Sequence, residues 1–206
     1  MKHHIDRTWV RGMSLLEVSV VVGITLVILM GAGTFISLSF KDQKILDDQL
    51  YGQREARRIV TEITNVVRTA EASSVGSYPI ATATTSTLTL YANIDSDSLR
   101  ERVRYWVTGT ELRRGILKPS GNPLAYTGTE NVTVLAHDVE NIVKGIDTFQ
   151  YFDENYIGTS APLPFPIVLP NVRMVRVVVQ IEKEESRSPV PIRVESITQI
   201  RNLKTN

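Results

Sequence analysis

Residues 11–40 decide the fold of this chain, and they read RGMSLLEVSVVVGITLVILMGAGTFISLSF. From residue 18 to residue 40 this stretch contains no Asp, Glu, Lys, Arg or His. As a helix, these residues would extend about 34 Å at 1.5 Å per residue, which is enough to cross the hydrocarbon core of a bilayer. The stretch therefore predicts one membrane-spanning helix near the N-terminus.

A single carboxylate, that of Glu17, stands at the start of this apolar run. On insertion scales a carboxylate at the centre of the membrane costs about 2.5–3.5 kcal/mol, and one near the interface costs less. Cleavage of the bond between Gly12 and Met13 would create a compensating positive charge at the new amino terminus. In a helix, the four-residue spacing would place Met13 and Glu17 on one face, so the ammonium of one subunit could neutralise Glu17 on itself or on a neighbour.

The order of these residues resembles the N-terminal signal of type IV pilins. The resemblance is carried by Gly12, the apolar Met13, Ser14, Glu17 and the apolar run 18–30. It implies cleavage after Gly12 by a prepilin peptidase, N-methylation of Met13 by the same enzyme, and filament assembly through Glu17. Most members of the family have Phe where Met13 stands, and other apolar residues are tolerated there.

An ordinary secretory signal or signal anchor is the alternative interpretation of this segment. A secretory signal has an apolar core of only about 7–15 residues, followed by a site with small residues, and this run is longer and lacks such a site. The leader, residues 1–12, carries three basic residues against one Asp, whereas Lys41 and Asp42 on the far side cancel. The charge pattern predicts a cytoplasmic leader and an exported remainder after residue 41.

Composition places one exported domain behind this anchor. Lys and Arg number 23 against 22 for Asp and Glu, so the net charge of +1 gives no general reason to expect nucleic-acid binding. The chain has no Cys, which excludes disulfides and thiolate metal sites. We therefore expect the exported part to depend on a hydrophobic core, and we assign it neither a metal nor a cofactor.

The helix is predicted to continue past the membrane, because no Pro occurs between Met13 and Tyr78. Apolar and small residues recur at steps of three and four, which predicts one buried stripe: Ile45, Gln49, Gly52, Ala56, Ile59, Ile63, Val66 and Ala70. A basic cluster at residues 54–58 is interpreted as a solvated face, with contact to a neighbouring subunit or to anionic lipid as the alternative.

After a break at residues 73–79 the pattern changes from helical to alternating. It predicts strands at residues 87–94, 102–108, 111–118, 132–136, 147–153, 172–182 and 191–200, with a tight turn at Gly109 and Thr110. A Pro-rich connection occupies residues 161–170. The predicted fold is α+β and pilin-like: a long N-terminal transmembrane helix that continues into an antiparallel β-sheet head.

The predicted domains follow from these patterns. Residues 1–12 are the leader, residues 13–40 the membrane half of the long helix, residues 41–72 its exported half, and residues 73–206 the β-rich head. The order of residues 102–114, 138–142, 149–153 and 169–177 is similar to that of the larger minor pilins, including the J-type minor pseudopilins of type II secretion. That second resemblance implies a bulky head at the filament tip, where such subunits help to start assembly.

The search for catalytic and metal-binding groups gave weak candidates. His137 is the one histidine outside the leader, and no Gly-x-Ser-x-Gly turn is present. The pair Asp95 and Asp97 and the triplet 153–155 could offer oxygen ligands to calcium, but turn formation explains them more simply. We expect Tyr105, Trp106, Tyr151 and Phe152 to fill or border the core rather than to form a stacking platform for DNA or sugars.

The sequence thus predicts a non-enzymatic minor pilin or pseudopilin in a type IV pilus or a type II secretion pseudopilus. Its expected partners are the prepilin peptidase and methyltransferase, other pilins, membrane lipid before assembly, and an inner-membrane platform whose ATPase is a separate chain. It would first be a single-pass inner-membrane protein and then part of a surface pilus or a periplasmic pseudopilus. The alternatives are a tip adhesin that binds DNA or glycan and, with less support, a membrane-tethered hydrolase that would use His137.

Overall fold

A computed structural model of the protein describes residues 13–95, 97–183 and 191–203. One long helix, α1, spans Leu15–Arg68 and precedes all the strands. The strands in the described residues are β1 Ile80–Ala83, β2 Thr87–Ala92, β3 Glu101–Thr108, β4 Glu111–Leu117, β5 Asn131–Ala136, β6 Phe149–Phe152, β7 Met174–Ile181 and β8 Ile192–Gln199. The predicted α+β class, with a long apolar helix followed by antiparallel sheets, is confirmed.

The chain divides between Leu46 and Asp47 into two compact units. In the first unit, every described residue from 13 to 44 is exposed. An 18-residue window of the helix has a mean hydropathy of 2.4, and none of it is buried. In the described part of the chain, α1 is the one helix long and apolar enough to cross a membrane, which is consistent with a single-pass membrane protein.

The second unit is the head, in which the later turns of α1 pack against the sheets. The helix buries Gly52, Ala56, Ile59, Val60, Ile63, Thr64 and Val67. Most of these positions were predicted, but Val66 is only half-buried while Val60 and Val67 are fully enclosed. The buried face of the helix is therefore wider than the predicted stripe.

Strands β1 to β5 form an antiparallel sheet in chain order. The predicted hairpin is confirmed: Thr108 pairs with Glu111, and Gly109 takes a φ of +57° in the turn between β3 and β4. Along β3, Val103, Tyr105 and Val107 are buried, and the residues between them are not. Strand β1 was not predicted, because its sequence Ile-Ala-Thr-Ala has one large apolar residue and only Ile80 is buried, so it shows no alternating pattern.

Strands β6, β7 and β8 form a second antiparallel sheet, with β7 in the middle. Strand β7 continues past Phe149, the first residue of β6. There the buried side chain of Asn141 forms hydrogen bonds to β7 in place of a pairing strand. Its Nδ2 donates to the carbonyl of Val178 over 2.9 Å, and its Oδ1 accepts from the N–H of Gln180 over 2.9 Å. Asn141 is fully buried, so both backbone groups depend on it for satisfaction.

We expect Asn141→Ala to destabilise the head without changing the fold of the anchor. The substitution leaves a buried N–H and a buried C=O without partners, which costs about 1–3 kcal/mol for each group. A loss of several kcal/mol would lower the melting temperature by about 5–15 °C for a domain of this size. Thermal unfolding of the full chain in detergent, followed by the β-sheet signal in circular dichroism, measures this shift.

Asn65→Ala is the matched control for this measurement. Asn65 lies on the exposed face of α1, and its side chain makes no hydrogen bond within the described residues. Surface substitutions of this kind change stability by less than about 0.5 kcal/mol. Equal melting temperatures for the two variants would show that Asn141 does not hold the end of β7.

Candidate functional site

Helix α1 begins directly after Ser14, whose side chain caps it. The backbone N–H of Glu17 donates to Ser14 Oγ over 3.2 Å, and the N–H of Val18 donates to the Ser14 carbonyl over 3.1 Å. A side-chain acceptor at this position satisfies one of the N–H groups that the first turn of a helix leaves without a partner. The cap therefore holds Glu17 in the first turn of the helix.

Sequence reasoning missed the role of Ser14, although a signal for it was present. Ser14 and Glu17 have the Ser-x-x-Glu spacing of a capping box, which marks the start of a helix. The spacing was interpreted only as part of the cleavage and assembly signal. The start of the long helix was therefore available from the same residues that suggested its function.

The carboxylate of Glu17 is exposed, and its side chain has no hydrogen-bond or ion-pair partner within the described residues. An acid in the first turn gains about 0.3–1 kcal/mol from the positive end of the helix dipole. This gain is smaller than the cost of about 2.5–3.5 kcal/mol for a carboxylate deep in lipid. If Glu17 lies in lipid, the helix dipole therefore offsets part of the cost of its charge, and a nearby positive charge would offset more.

Met13 lies one residue before the cap, outside the helix, with 69% of its surface exposed. Residues four apart share a face only where both are inside a helix. Met13 lies outside α1, so Met13 and Glu17 do not share a helix face here. Pairing between neighbouring subunits does not need that geometry. Gly12 and the leader, residues 1–11, lie outside the described residues.

No protein-family model matches this chain, and no curated protein matches it. The architecture, a long apolar N-terminal helix followed by antiparallel sheets, is compatible with a pilin.

The exposed surface of the anchor has places where another helix can approach closely. A Cβ atom added at Gly23, Gly31 or Gly33 would meet nothing within 4 Å. The hydroxyls of Thr34 and Ser37, beside these glycines, donate to carbonyls of their own helix. Small residues whose polar groups are satisfied internally allow close packing of helices in lipid.

The acidic residues Asp95 and Asp97 lie in a turn, and the ammonium of Lys118 pairs with both of them. Asp95 Oδ1 accepts from the N–H of Asp97 over 2.9 Å, as the turn interpretation predicted. The ammonium of Lys118 pairs with both carboxylates, at 2.9 Å from Asp95 Oδ2. The N–H of Asp97 and the Lys118 ammonium hold the pKa of Asp95 below its ordinary value, while the two carboxylates raise the pKa of Lys118. Turn geometry and Lys118 thus account for the pair.

The second acidic segment, residues 153–155, is also a turn. Asp153 Oδ1 accepts from the N–H of Asn155 over 2.9 Å, which is the geometry of an Asx turn. The prediction that turn chemistry explains these residues is confirmed for this hydrogen bond.

Three of the four aromatic residues considered for stacking lie in the core, as predicted. Tyr105, Tyr151 and Phe152 are at most 1% exposed, and burial raises the pKa of both tyrosines. The hydroxyl of Tyr151 donates to the carbonyl of Thr84 over 2.9 Å and so connects the two sheets. Trp106 is half-buried on the outer face of β3, where the guanidinium of Arg104 lies 3.9 Å from its ring centroid. That face of the indole is therefore occupied.

His137 lies at the surface rather than in a pocket. Its side chain is 68% exposed, and its Nδ1 is 3.4 Å from Glu111 Oε1. No Ser or Thr hydroxyl hydrogen-bonds to it within the described residues. A hydrolase that used His137 would need a nucleophile brought from elsewhere.

Proposed function

We propose that this protein is the precursor of a minor subunit of a type IV pilus or a type II secretion pseudopilus, and that it has no enzymatic activity of its own. A prepilin peptidase cuts after Gly12 and methylates Met13, and Glu17 then directs the subunit into the filament. The order of segments in the head resembles that of the larger minor pilins, which include the J-type minor pseudopilins of type II secretion.

One observation carries this proposal: the unpaired carboxylate of Glu17 in the first turn of an exposed apolar helix. In lipid that charge is unfavourable for a single subunit, and the helix dipole offsets only part of the cost. Assembly offsets the remaining cost of the Glu17 charge if the amino terminus of one subunit lies beside Glu17 of the next. A free ammonium exists there only after proteolysis, so cleavage and assembly are coupled through one ion pair.

The partners follow from the same scheme. Before assembly, the apolar half of α1 lies in the inner membrane with the leader in the cytoplasm and the head outside. An assembly platform, driven by an ATPase in a separate chain, moves the subunit outward into contact with other pilins. A bulky head interferes least at an end of the filament, where no subunit packs above it, and this favours a position at or near the tip.

Mass spectrometry of the N-terminus of the native protein tests this proposal. From membranes of cells that express the full system, we expect a polypeptide that begins with N-methylated Met13, because cleavage and methylation act on the same residue. Protein made in cells without a prepilin peptidase is the control and should begin at Met1. A native N-terminus at Met1, or at any residue beyond 40, would contradict the proposal.

A further inference from the structure

A groove in the head lies between helix α1 and strand β8, apart from the residues that the proposed function uses. Its volume is about 610 Å³. The helix wall consists of Gln53, Arg57, Val60, Thr61 and Thr64, and the strand wall consists of residues 191–196. The walls meet at Gly52, where an added Cβ would lie 3.4 Å from Ile192 Cγ1.

The strand wall presents its edge to the groove rather than one of its faces. Alternate side chains of a strand point to opposite faces of its sheet, so a wall made by one face would contain every second residue. Here five consecutive residues of β8, 192–196, line the groove, together with Pro191 before the strand. Strand β8 is also the outermost strand of its sheet in the described part of the chain. An outer edge of this kind carries backbone N–H and C=O groups that no strand pairs.

The charge of the groove is uneven. Arg193 Nη2 lies 3.3 Å from Glu195 Oε2 on the strand wall, so those two charges cancel. Arg57 on the helix wall is exposed and has no ion-pair or hydrogen-bond partner within the described residues. Its neighbour Arg58, by contrast, pairs with Glu55 at 2.7 Å. One unpaired guanidinium therefore faces the groove.

We infer that this groove binds an extended, acidic peptide segment of another protein, which adds to β8 as a further strand. The free edge of β8 supplies main-chain hydrogen bonds, and Arg57 receives a carboxylate of the peptide. Apolar side chains of the peptide pack against Val60, Ile192 and Val194, which line the floor and walls. The lined part of the strand is about 17 Å long at 3.3 Å per residue, which suits a segment of about five residues.

An extended occupant fits this groove better than a helical one. The backbone groups of a helix are already bonded to one another, so a docked helix could not satisfy the edge of β8. An extended peptide presents N–H and C=O groups at the spacing that a strand edge needs. The groove lies wholly within the head, so this inference does not depend on cleavage at Gly12 or on Glu17.

The test uses the full chain in detergent micelles and a phage-displayed library of random heptapeptides as the probe. We expect the selected peptides to contain Asp or Glu and to lack Pro at their central positions. Binding of the corresponding synthetic peptides is then measured by fluorescence anisotropy. Thr61→Trp, which places an indole in the groove, should weaken binding at least tenfold, and Arg54→Trp on the exposed helix surface outside the groove should not.

Two further comparisons define the binding mode. Replacing the acid of the peptide by its amide should weaken binding to the wild-type chain about two- to fivefold, as for an exposed ion pair, and should not affect binding to Arg57→Gln. Arg54→Gln is the matched control and should behave as wild type. Alternate backbone N–H groups of an added strand point toward β8, and the others point away from it. N-methylation of one alternate set should therefore remove binding, because it removes the donors to β8, and N-methylation of the other set should not.

Several results would overturn the inference. These are a library that yields no binder, binders that tolerate Thr61→Trp, and binders insensitive to N-methylation of either set. Sedimentation of the wild-type chain gives one more: self-association that Thr61→Trp abolishes would show that a second copy occupies the groove. Failure of any of these tests would leave the N-terminus measured by mass spectrometry unchanged, so it is distinguishable from failure of the proposed function.

Discussion

Gly12→Val should leave the protein at its full length in cells that contain a functional prepilin peptidase. Gly12 is the residue before the proposed cut, and Val adds a branched Cβ beside that bond and restricts the backbone that Gly leaves free. A misplacement of about 1 Å at a reacting bond can reduce a rate about a hundredfold. We therefore expect less than about one hundredth of the wild-type amount of mature protein. Immunoblotting with an antibody against the head, after a short pulse of expression, measures both forms.

Two controls accompany this prediction. Gly12→Ala adds the smallest side chain and should be cut more slowly but to a visible extent. Arg11→Gln removes a charge from the leader without altering either residue of the cleaved bond, and we expect normal processing. A shortened product of the usual size from Gly12→Val would contradict the assignment of the peptidase site.

Uncut precursor should also be absent from filaments. Without cleavage no ammonium forms at Met13, so the carboxylate of Glu17 keeps its unfavourable position in lipid. The processing defect and the assembly defect are therefore expected to appear together in Gly12→Val.

Local patterns predicted the parts of the fold that bury one face only. The alternation of Val103, Tyr105 and Val107 with polar neighbours predicted β3, because a one-residue shift would move all three out of the core. Spacing along the helix predicted the burial of Ile59 and Ile63 in the same way. In both elements the spacing of the apolar residues is enough to predict which side chains are buried.

The features that the sequence did not predict depend on contacts between distant segments. Asn141 replaces a strand only because residues 178–180 pass beside it. The groove at Arg57 exists because β8, more than a hundred residues later in the chain, runs alongside the helix. No local pattern contains that proximity, so the sequence could identify a basic cluster at residues 54–58 but not which of its charges would be paired.

For the candidate site at the N-terminus, by contrast, most of the hypothesis comes from the sequence and less from the structure. Glu17 is predicted from its chemistry, since a carboxylate in an apolar helix is costly wherever the head lies. The roles of Gly12 and Met13 are implied by the resemblance to type IV pilins, and all three roles stay predictions. The structure added Ser14 as the cap and placed Met13 before the helix. The sequence proposes these residues, but it does not fix the geometry between them.

Glu17→Val should insert into the membrane and be cut after Gly12, yet fail to enter filaments. The substitution removes the charge that makes a single subunit unfavourable in lipid, so the free subunit becomes more stable there and gains nothing electrostatic from a neighbour's ammonium. A charge at the membrane centre costs about 2.5–3.5 kcal/mol and one near the end of the helix costs less, so we expect the share of the Glu17→Val variant in sheared filaments to fall about tenfold. Quantitative mass spectrometry of sheared filaments and of membranes from the same cells measures the assembled subunits and the free subunits.

Thr25→Val is the matched control, because Thr25 lies on the same exposed helix and its hydroxyl donates to the carbonyl of Val21 in that helix over 2.8 Å. It changes a polar side chain for an apolar one of the same shape without removing a charge, so incorporation should be normal. Glu17→Asp keeps the charge on a shorter side chain and should retain partial incorporation, whereas Glu17→Gln should fail as Val does. Incorporation of Glu17→Val at the wild-type level would refute the ion pair, because the lone carboxylate would then have no part in bringing subunits together.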